Sequence, residues 1–345
     1  MSKNIVVFSD GTGQEGGKGA NSNVYKLFNM VLDRSSEQIA FYDRGLGTGW
    51  RKITGSAAGM GISKNILECY KFIFENYEAG DQLYLFGFSR GATTVRSLSG
   101  FIHLFGILPK SRIELIEQAY KIYKKADRTA REVAARAFVN RHHTMWCKIK
   151  FLGVWDTVAA LGVPFKTIDV FVDWVPFFRH NFHDLRLSPS VENAYHALAI
   201  DDERKTFHPT LWDPNTIQGQ TVKQVWFCGM HTDVGGGYPE QELSEIALEW
   251  MVQMAKTHGL KIYSRHSVKM SGDANGTMHD SRGSGLSRLY RHEVRSWPTE
   301  THGKPCVHKS VLKRVRNPNN KEEPRYKPWI LDGSYEYEVE PWDGS

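Results

Sequence analysis

The sequence has no C-x-x-C pair. Its four cysteines, Cys69, Cys147, Cys228 and Cys306, lie far apart, which excludes zinc-ribbon and thioredoxin-like chemistry and leaves them as small buried residues. No stretch approaches roughly 18 uninterrupted apolar residues, so no transmembrane helix is expected. At the N-terminus, "MSKNIVVFSDGTG" reaches Asp10 after an apolar run too short for a signal peptide, and cytoplasmic synthesis is the expectation. A Walker A loop is missing: counting back from Lys18, its first glycine would be residue 12, which is Thr12, and Gly19 replaces the required Ser/Thr. The D-x-D-G-T start of haloacid-dehalogenase phosphatases is missing too, because Phe8 stands where the nucleophilic aspartate belongs. The pairs His142-His143 and Asp201-Asp202 complete no ligand pattern, so neither a metal nor a cofactor is expected. Neither an internal repeat nor a low-complexity tract is present. The net charge of +6 is spread along the chain apart from clusters such as "KSVLKRVR". It suits anionic surfaces without choosing among them, and no nucleic-acid partner is expected.

What is present is an alternation of strand and helix patterns. β-branched and apolar runs at 4–9, 37–43, 81–87, 148–156 and 222–231 read as strands. Between them "NSNVYKLFNMVLD", "SKNILECYKFIFENY" and "RGATTVRSLSGFIHLFG" carry apolar residues at helical spacing, as do "SRIELIEQAYKIYKKA" and "AREVAARAFVNRHH". A further helix is expected from about Ser244 to Lys256. Such an order requires crossovers, hence an α/β fold with a mostly parallel sheet and helices on both faces. The division expected is a catalytic domain over 1–258, with an inserted cap at about 163–220. A C-terminal extension over 259–345, of no assigned function, would pack on the same domain.

Functional groups in open parallel sheets gather at the carboxyl ends of the strands. Ser89 stands there in "YLFGFSRGATT", a G-x-S-x-G pentapeptide, Asp156 ends the next strand, and His231 ends the last. That is the chain order of an α/β-hydrolase triad. A serine hydroxyl needs a base as it attacks, a histidine serves near neutral pH, and an aspartate fixes the ring's tautomer. Two strand–helix units before Ser89, the loop Asp10-Gly11-Thr12-Gly13 stands where an oxyanion loop belongs. The donors expected are the N–H of Gly11 or Thr12 and that of Arg90. Asp10 and Asp233 are expected to support the site, Asp233 being too near His231 in sequence to reach its far ring nitrogen. His196 reads as a structural hydrogen-bonder. In the stretch "VPFKTIDVFVDWVPFFRHNFHDLRLSPS", Trp174, Phe177 and Phe178 read as an acyl-binding wall or lid that meets lipid.

The segments "FSDGTG", "GFSRGATTVRSL", "FLGVWDTVAALG", "AYHALAIDDER", "FHPTLW" and "WFCGMHTDVGGGY" resemble those of a bacterial α/β-hydrolase family of uncharacterised domains. Its better-known members are the first class of type VI secretion lipase effectors. The resemblance implies an esterase or phospholipase with a Ser-Asp-His triad at Ser89, Asp156 and His231. It also implies export by a type VI system and a secretion-apparatus or immunity partner, while the aromatic stretch with its cationic neighbours suits peripheral membrane contact. The alternatives that the sequence leaves open are a soluble esterase or thioesterase using the same site, and a catalytically silent lipid-binding module.

Overall fold

Along the strand Asn4–Ser9, Ile5 and Val7 face one side while Val6 and Phe8 face the other, and all four are fully buried. The same alternation runs through the neighbouring strand, with Leu83 and Leu85 on one side and Tyr84 and Phe86 on the other. Both faces of the sheet are therefore covered, as a parallel sheet with crossover helices requires. The computed structural model describes residues 2–11, 16–17, 19–45, 55–158, 187–264, 270–283, 290–317 and 325–342, with the backbone alone at 55–60.

Within these residues the elements run β1 (Asn4–Ser9), α1 (Asn23–Met30), β2 (Gln38–Asp43), α2 (Gly55–Asn76), β3 (Gln82–Phe88), α3 (Arg90–Phe105), α4 (Leu115–Tyr123) and α5 (Arg128–His142). They continue with β4 (Ile149–Trp155), β5 (Asn193–Ala199), β6 (Thr221–Phe227), α6 (His231–Gly235), α7 (Glu242–Thr257), α8 (Thr299–His302), β7 (Cys306–His308), α9 (Lys309–Arg316) and β8 (Glu338–Glu340). The eight strands form one sheet in the order β2-β1-β3-β4-β5-β6-β7-β8. Every pairing is parallel. The fold is α/β-hydrolase-like.

Two cores sandwich this sheet. On one face α2, α3, α4 and α5 pack Tyr70, Phe101, Phe105, Tyr120 and Phe138 against Ile5, Leu85 and Leu152. On the other, α1 and α7 pack Leu27, Trp250 and Met251 against an aromatic row that crosses four strands. Phe8 and Phe86 stack at 5.1 Å, Phe86 and Phe151 meet at 5.3 Å, and Phe151 and Tyr195 stack at 5.1 Å. Full burial of each such ring stabilises by about 1.5–3 kcal/mol, which pins the strands in register. A third cluster joins Leu198 and Trp226 of the sheet to Trp297, Val307, Val311 and Ile330 of the C-terminal segment.

Two expectations need correction. The strand expected over 222–231 stops at Phe227. Gly229 then turns the chain at a φ of 101°, and His231 opens α6 instead of ending a strand. The cap expected at about 163–220 contains β5, a central strand of the sheet. All seven residues of β5 are buried, so "NAYHALA" lacks the polar–apolar alternation by which a one-sided strand is recognised. Residues 159–186, with Trp174, Phe177 and Phe178, lie outside the described residues.

Candidate active site

Ser89 falls between β3 and α3 with φ at 57° and ψ at −120°, a conformation that costs about 1–3 kcal/mol and persists only where packing enforces it. The packing is visible at the flanking glycines. A Cβ on Gly91 would lie 1.9 Å from the Ser9 carbonyl oxygen, and one on Gly87 2.5 Å from that of Gly91. Only a chain without side chains at both positions can turn this tightly. The Ser89 N–H donates to the Trp155 carbonyl at 3.1 Å, one residue before Asp156. Ser89 and Asp156 therefore leave adjacent strands side by side.

Asp156 also has a positive φ, 35°, and is fully buried. Its own N–H continues the β4–β5 ladder to the Ala197 carbonyl at 2.8 Å. Its Oδ2 receives His231 Nδ1 at 2.6 Å, and its Oδ1 accepts the Ala199 N–H at 3.0 Å. The guanidinium of Arg295, itself buried, grips both oxygens at 2.7 and 2.9 Å. Burial alone would raise the Asp156 carboxyl. The Arg295 charge and the hydrogen bonds from His231 and Arg295 outweigh it and hold the group far below the usual carboxylate range. Asp156 is thus ionised and can only accept, so the His231 ring carries a proton on Nδ1, the tautomer that puts the lone pair of a neutral ring on Nε2. The ring is wedged between Phe88, at 4.6 Å, and Phe207, edge-on at 5.2 Å. Phe88 immediately precedes Ser89, so the His231 ring packs directly on the turn that carries the hydroxyl.

This arrangement lies where the sheet's winding reverses. β2 flanks β1 on one side and β3 on the other, so the crevice between the carboxyl ends of β1 and β3 is the switch point at which α/β folds bind ligands. Gly11 follows β1 there, and a Cβ on it would stand 3.5 Å from the Cβ of Ser89. The Arg90 N–H belongs to the first turn of α3, whose amides have no partner within the helix. Among the described residues, no group of three or more His, Cys, Asp or Glu side chains could hold a metal ion.

The sequence over residues 3–254 matches the family described as the catalytic domain of Tle1-like phospholipase effectors of type VI secretion. The chain belongs to this family. Among curated relatives it is 28% identical over 240 residues to the uncharacterized protein YEL023C of Saccharomyces cerevisiae, a match spanning 61% of this chain and 33% of the yeast protein. An uncharacterized protein from Pseudomonas aeruginosa shares the fold with a TM-score of 0.51 and 16% identity, over 79% of this chain and 49% of that one. The Tle1 effector solved on the VgrG spike aligns with a TM-score of 0.37 and 21% identity, over 69% of this chain and 52% of that one. The chain thus spans about a third of the yeast relative and about half of each solved structure.

Around the Tle1-like core the remaining expected residues take definite places. Asp10 is buried; its Oδ2 accepts the hydroxyls of Ser22 and Tyr42, both at 2.6 Å, and its Oδ1 accepts the Gly11 N–H at 2.7 Å. Burial lifts its carboxyl to about 6 despite these bonds. The Gly11 amide, expected as an oxyanion donor, is therefore taken by Asp10 in this structure. Thr12, the other candidate, lies outside the described residues. Asp233 does not touch the His231 ring. It accepts the Met230 N–H at 3.1 Å and pairs with His279 Nδ1 at 2.7 Å, fixing the entry to α6. His196 Nε2 accepts the Thr157 N–H at 3.1 Å, and burial pushes its ring down to about 3, so it supports the Asp156 bend as a neutral acceptor.

Sequence reasoning missed Asp202, which accepts the His231 N–H at 3.2 Å and binds Arg204. It also missed Phe207 and Arg295. The first two lie in the segments "AYHALAIDDER" and "FHPTLW", so the family resemblance of those strings was a signal. "EVRSWP" around Arg295 carries no local signal at all.

Proposed function

We propose that this chain is a serine-dependent carboxylic ester hydrolase whose substrates are glycerophospholipids. The observation that carries the reading is the 2.6 Å bond between buried Asp156 and His231, beside a serine held at positive φ at the switch point of the sheet. Membership of a phospholipase effector family supports the substrate class. In this reading Ser89 Oγ attacks the acyl carbon while His231 Nε2 takes its proton, and Asp156 stabilises the imidazolium. The Arg90 N–H and one amide of the loop after β1 hold the oxyanion, each donor contributing roughly 3–4 kcal/mol. Collapse expels the lysolipid alkoxide, protonated by His231, and leaves an acyl-Ser89 ester. Water activated by the same ring then releases the fatty acid and restores the hydroxyl. No cofactor enters these steps.

Delivery by a type VI apparatus, and contact with its spike or with an immunity protein, are the corresponding proposals for partners. Trp174, Phe177 and Phe178 remain proposed lipid contacts, to be tested by serine replacement on vesicles against a soluble ester. Mass spectrometry of products from a mixed-lipid extract tests the function as a whole. Wild type is expected to release fatty acid and lysolipid where Ser89→Ala does not. Hydrolysis of soluble esters with intact lipid would reassign the protein as a soluble esterase, and identical extracts from both proteins would remove the reading.

A further inference from the structure

We propose that Arg295 is a positioning residue of this site, supplied from beyond the family's catalytic domain, that locks the Asp156 carboxylate in the orientation receiving His231 and balances its charge. Arg295 lies well outside residues 3–254, the part of the chain that the family match covers. It nevertheless reaches the centre of the site and is fully buried. Its two terminal nitrogens take one carboxylate oxygen each, at 2.7 and 2.9 Å, the bidentate geometry that only a guanidinium offers. With Ala199 N–H on Oδ1 and His231 on Oδ2, each oxygen has two donors and the carboxylate has no rotation left. The same guanidinium also donates to the Phe207 carbonyl at 2.6 Å and to that of Ala199. The Phe207 ring packs edge-on against His231, so one arginine fixes both the acid and the wall beside the base.

The charge matters as much as the geometry. A buried carboxylate raises the proton affinity of the neighbouring imidazole, and a counter-ion on that carboxylate weakens the effect. Paired with Arg295, Asp156 retains its orienting role with much less net field. Among the described residues, the other charged or titratable groups facing the pair are Asp201 and Asp202 after β5, Arg204 bound to Asp202 at its carboxylate, and His196 on β5. None of them forks onto Asp156.

The kinetic part of the inference rests on the ester-hydrolase reading; the geometric part does not. The full chain and its Arg295→Lys, Arg295→Met and Arg295→Gln variants are assayed on p-nitrophenyl butyrate from about pH 5 to 9, with folding checked by circular dichroism. Arg295→Lys keeps the charge and loses the fork. Its kcat is expected to fall about tenfold or more, with KM and the acidic limb of the kcat/KM profile near those of wild type. Arg295→Met loses both, and its acidic limb is expected to move to higher pH by about one to two units. Arg295→Gln is read the same way should the methionine variant not fold. Should neither neutral variant fold, the lysine variant decides by its kcat. An unmoved limb in a folded neutral variant, or wild-type kcat in Arg295→Lys, would overturn the proposal and leave Arg295 a structural ion pair. If wild type neither turns over ester nor labels with a fluorophosphonate, the hydrolase reading fails. Arg295 is then judged by the low-field proton resonance of His231 Nδ1–H. Displacement or broadening of that signal in the neutral variants supports the positioning role, and an unchanged signal contradicts it.

Discussion

Ser89 and Asp156 each stand one residue past a parallel strand, at φ values of 57° and 35° that few side chains adopt, yet opposite means hold the two turns. The Ser89 turn is held by the absence of atoms: Gly87 and Gly91 let backbone touch backbone. Partners hold the Asp156 bend instead. His196 takes the next amide, while Ala199, His231 and Arg295 saturate the carboxylate. The first kind of turn is written within five residues, and the second depends on residues up to 139 positions away. A serine in such a turn therefore leaves a local signature, whereas the aspartate beside it leaves little beyond a strand end.

The comparison breaks most sharply at Ser89. Ser89→Ala is expected to lower the single-turnover rate on a phospholipid ester by roughly 10⁴-fold or more while leaving the thermal midpoint no lower than wild type, because its hydroxyl makes no capping hydrogen bond to α3. Asp156→Asn should fall in rate by roughly 10³–10⁴-fold and also lose about 3–5 kcal/mol in urea unfolding, since Arg295 is left buried without its counter-ion. Adding Arg295→Met to Asp156→Asn should recover part of that loss; strict additivity in the cycle would mean the pair does not interact. Gly91→Ala should cost about 2–4 kcal/mol, because a rigid carbonyl and not a flexible side chain stands in the way. A variant of wild-type stability would show that the turn has more room than its contacts imply.

The smallest effect concerns Asp10, one residue past β1. Its carboxyl is raised from 3.8 to about 6 by burial. A raised acid contributes stability fully present below its ordinary value and lost as pH rises through the folded one. Asp10→Asn should therefore remove a decline of roughly 1–3 kcal/mol between about pH 4 and 6 from the unfolding profile. Asp201 is raised to about 6 for the same reason and stays in both proteins, whereas Asp156 acts in the opposite sense at lower pH. Parallel profiles for the two proteins would place Asp10 in a more solvated setting than its burial suggests.

The sheet was legible wherever apolar runs were bounded by glycine or acid: β1, β2, β3 and β4 fall within a residue or so of their expected spans. β5 was not, because burial on both faces erases alternation, and β7 and β8 were not, because three residues carry no period. Ser89, Asp156 and His231 could be named as candidates from chain order, although only the first two stand at strand ends. The loss of the Gly11 amide to Asp10 could not, because it turns on how one carboxylate is oriented. Arg295 was invisible for the same reason, with a longer reach.

The most direct test is covalent labelling of the native protein with a fluorophosphonate, followed by peptide mass mapping. One adduct per chain, on Ser89, absent from Ser89→Ala and much slowed in His231→Ala, is the result that this arrangement predicts. No adduct, or one on another residue with Ser89 unmodified, would contradict it.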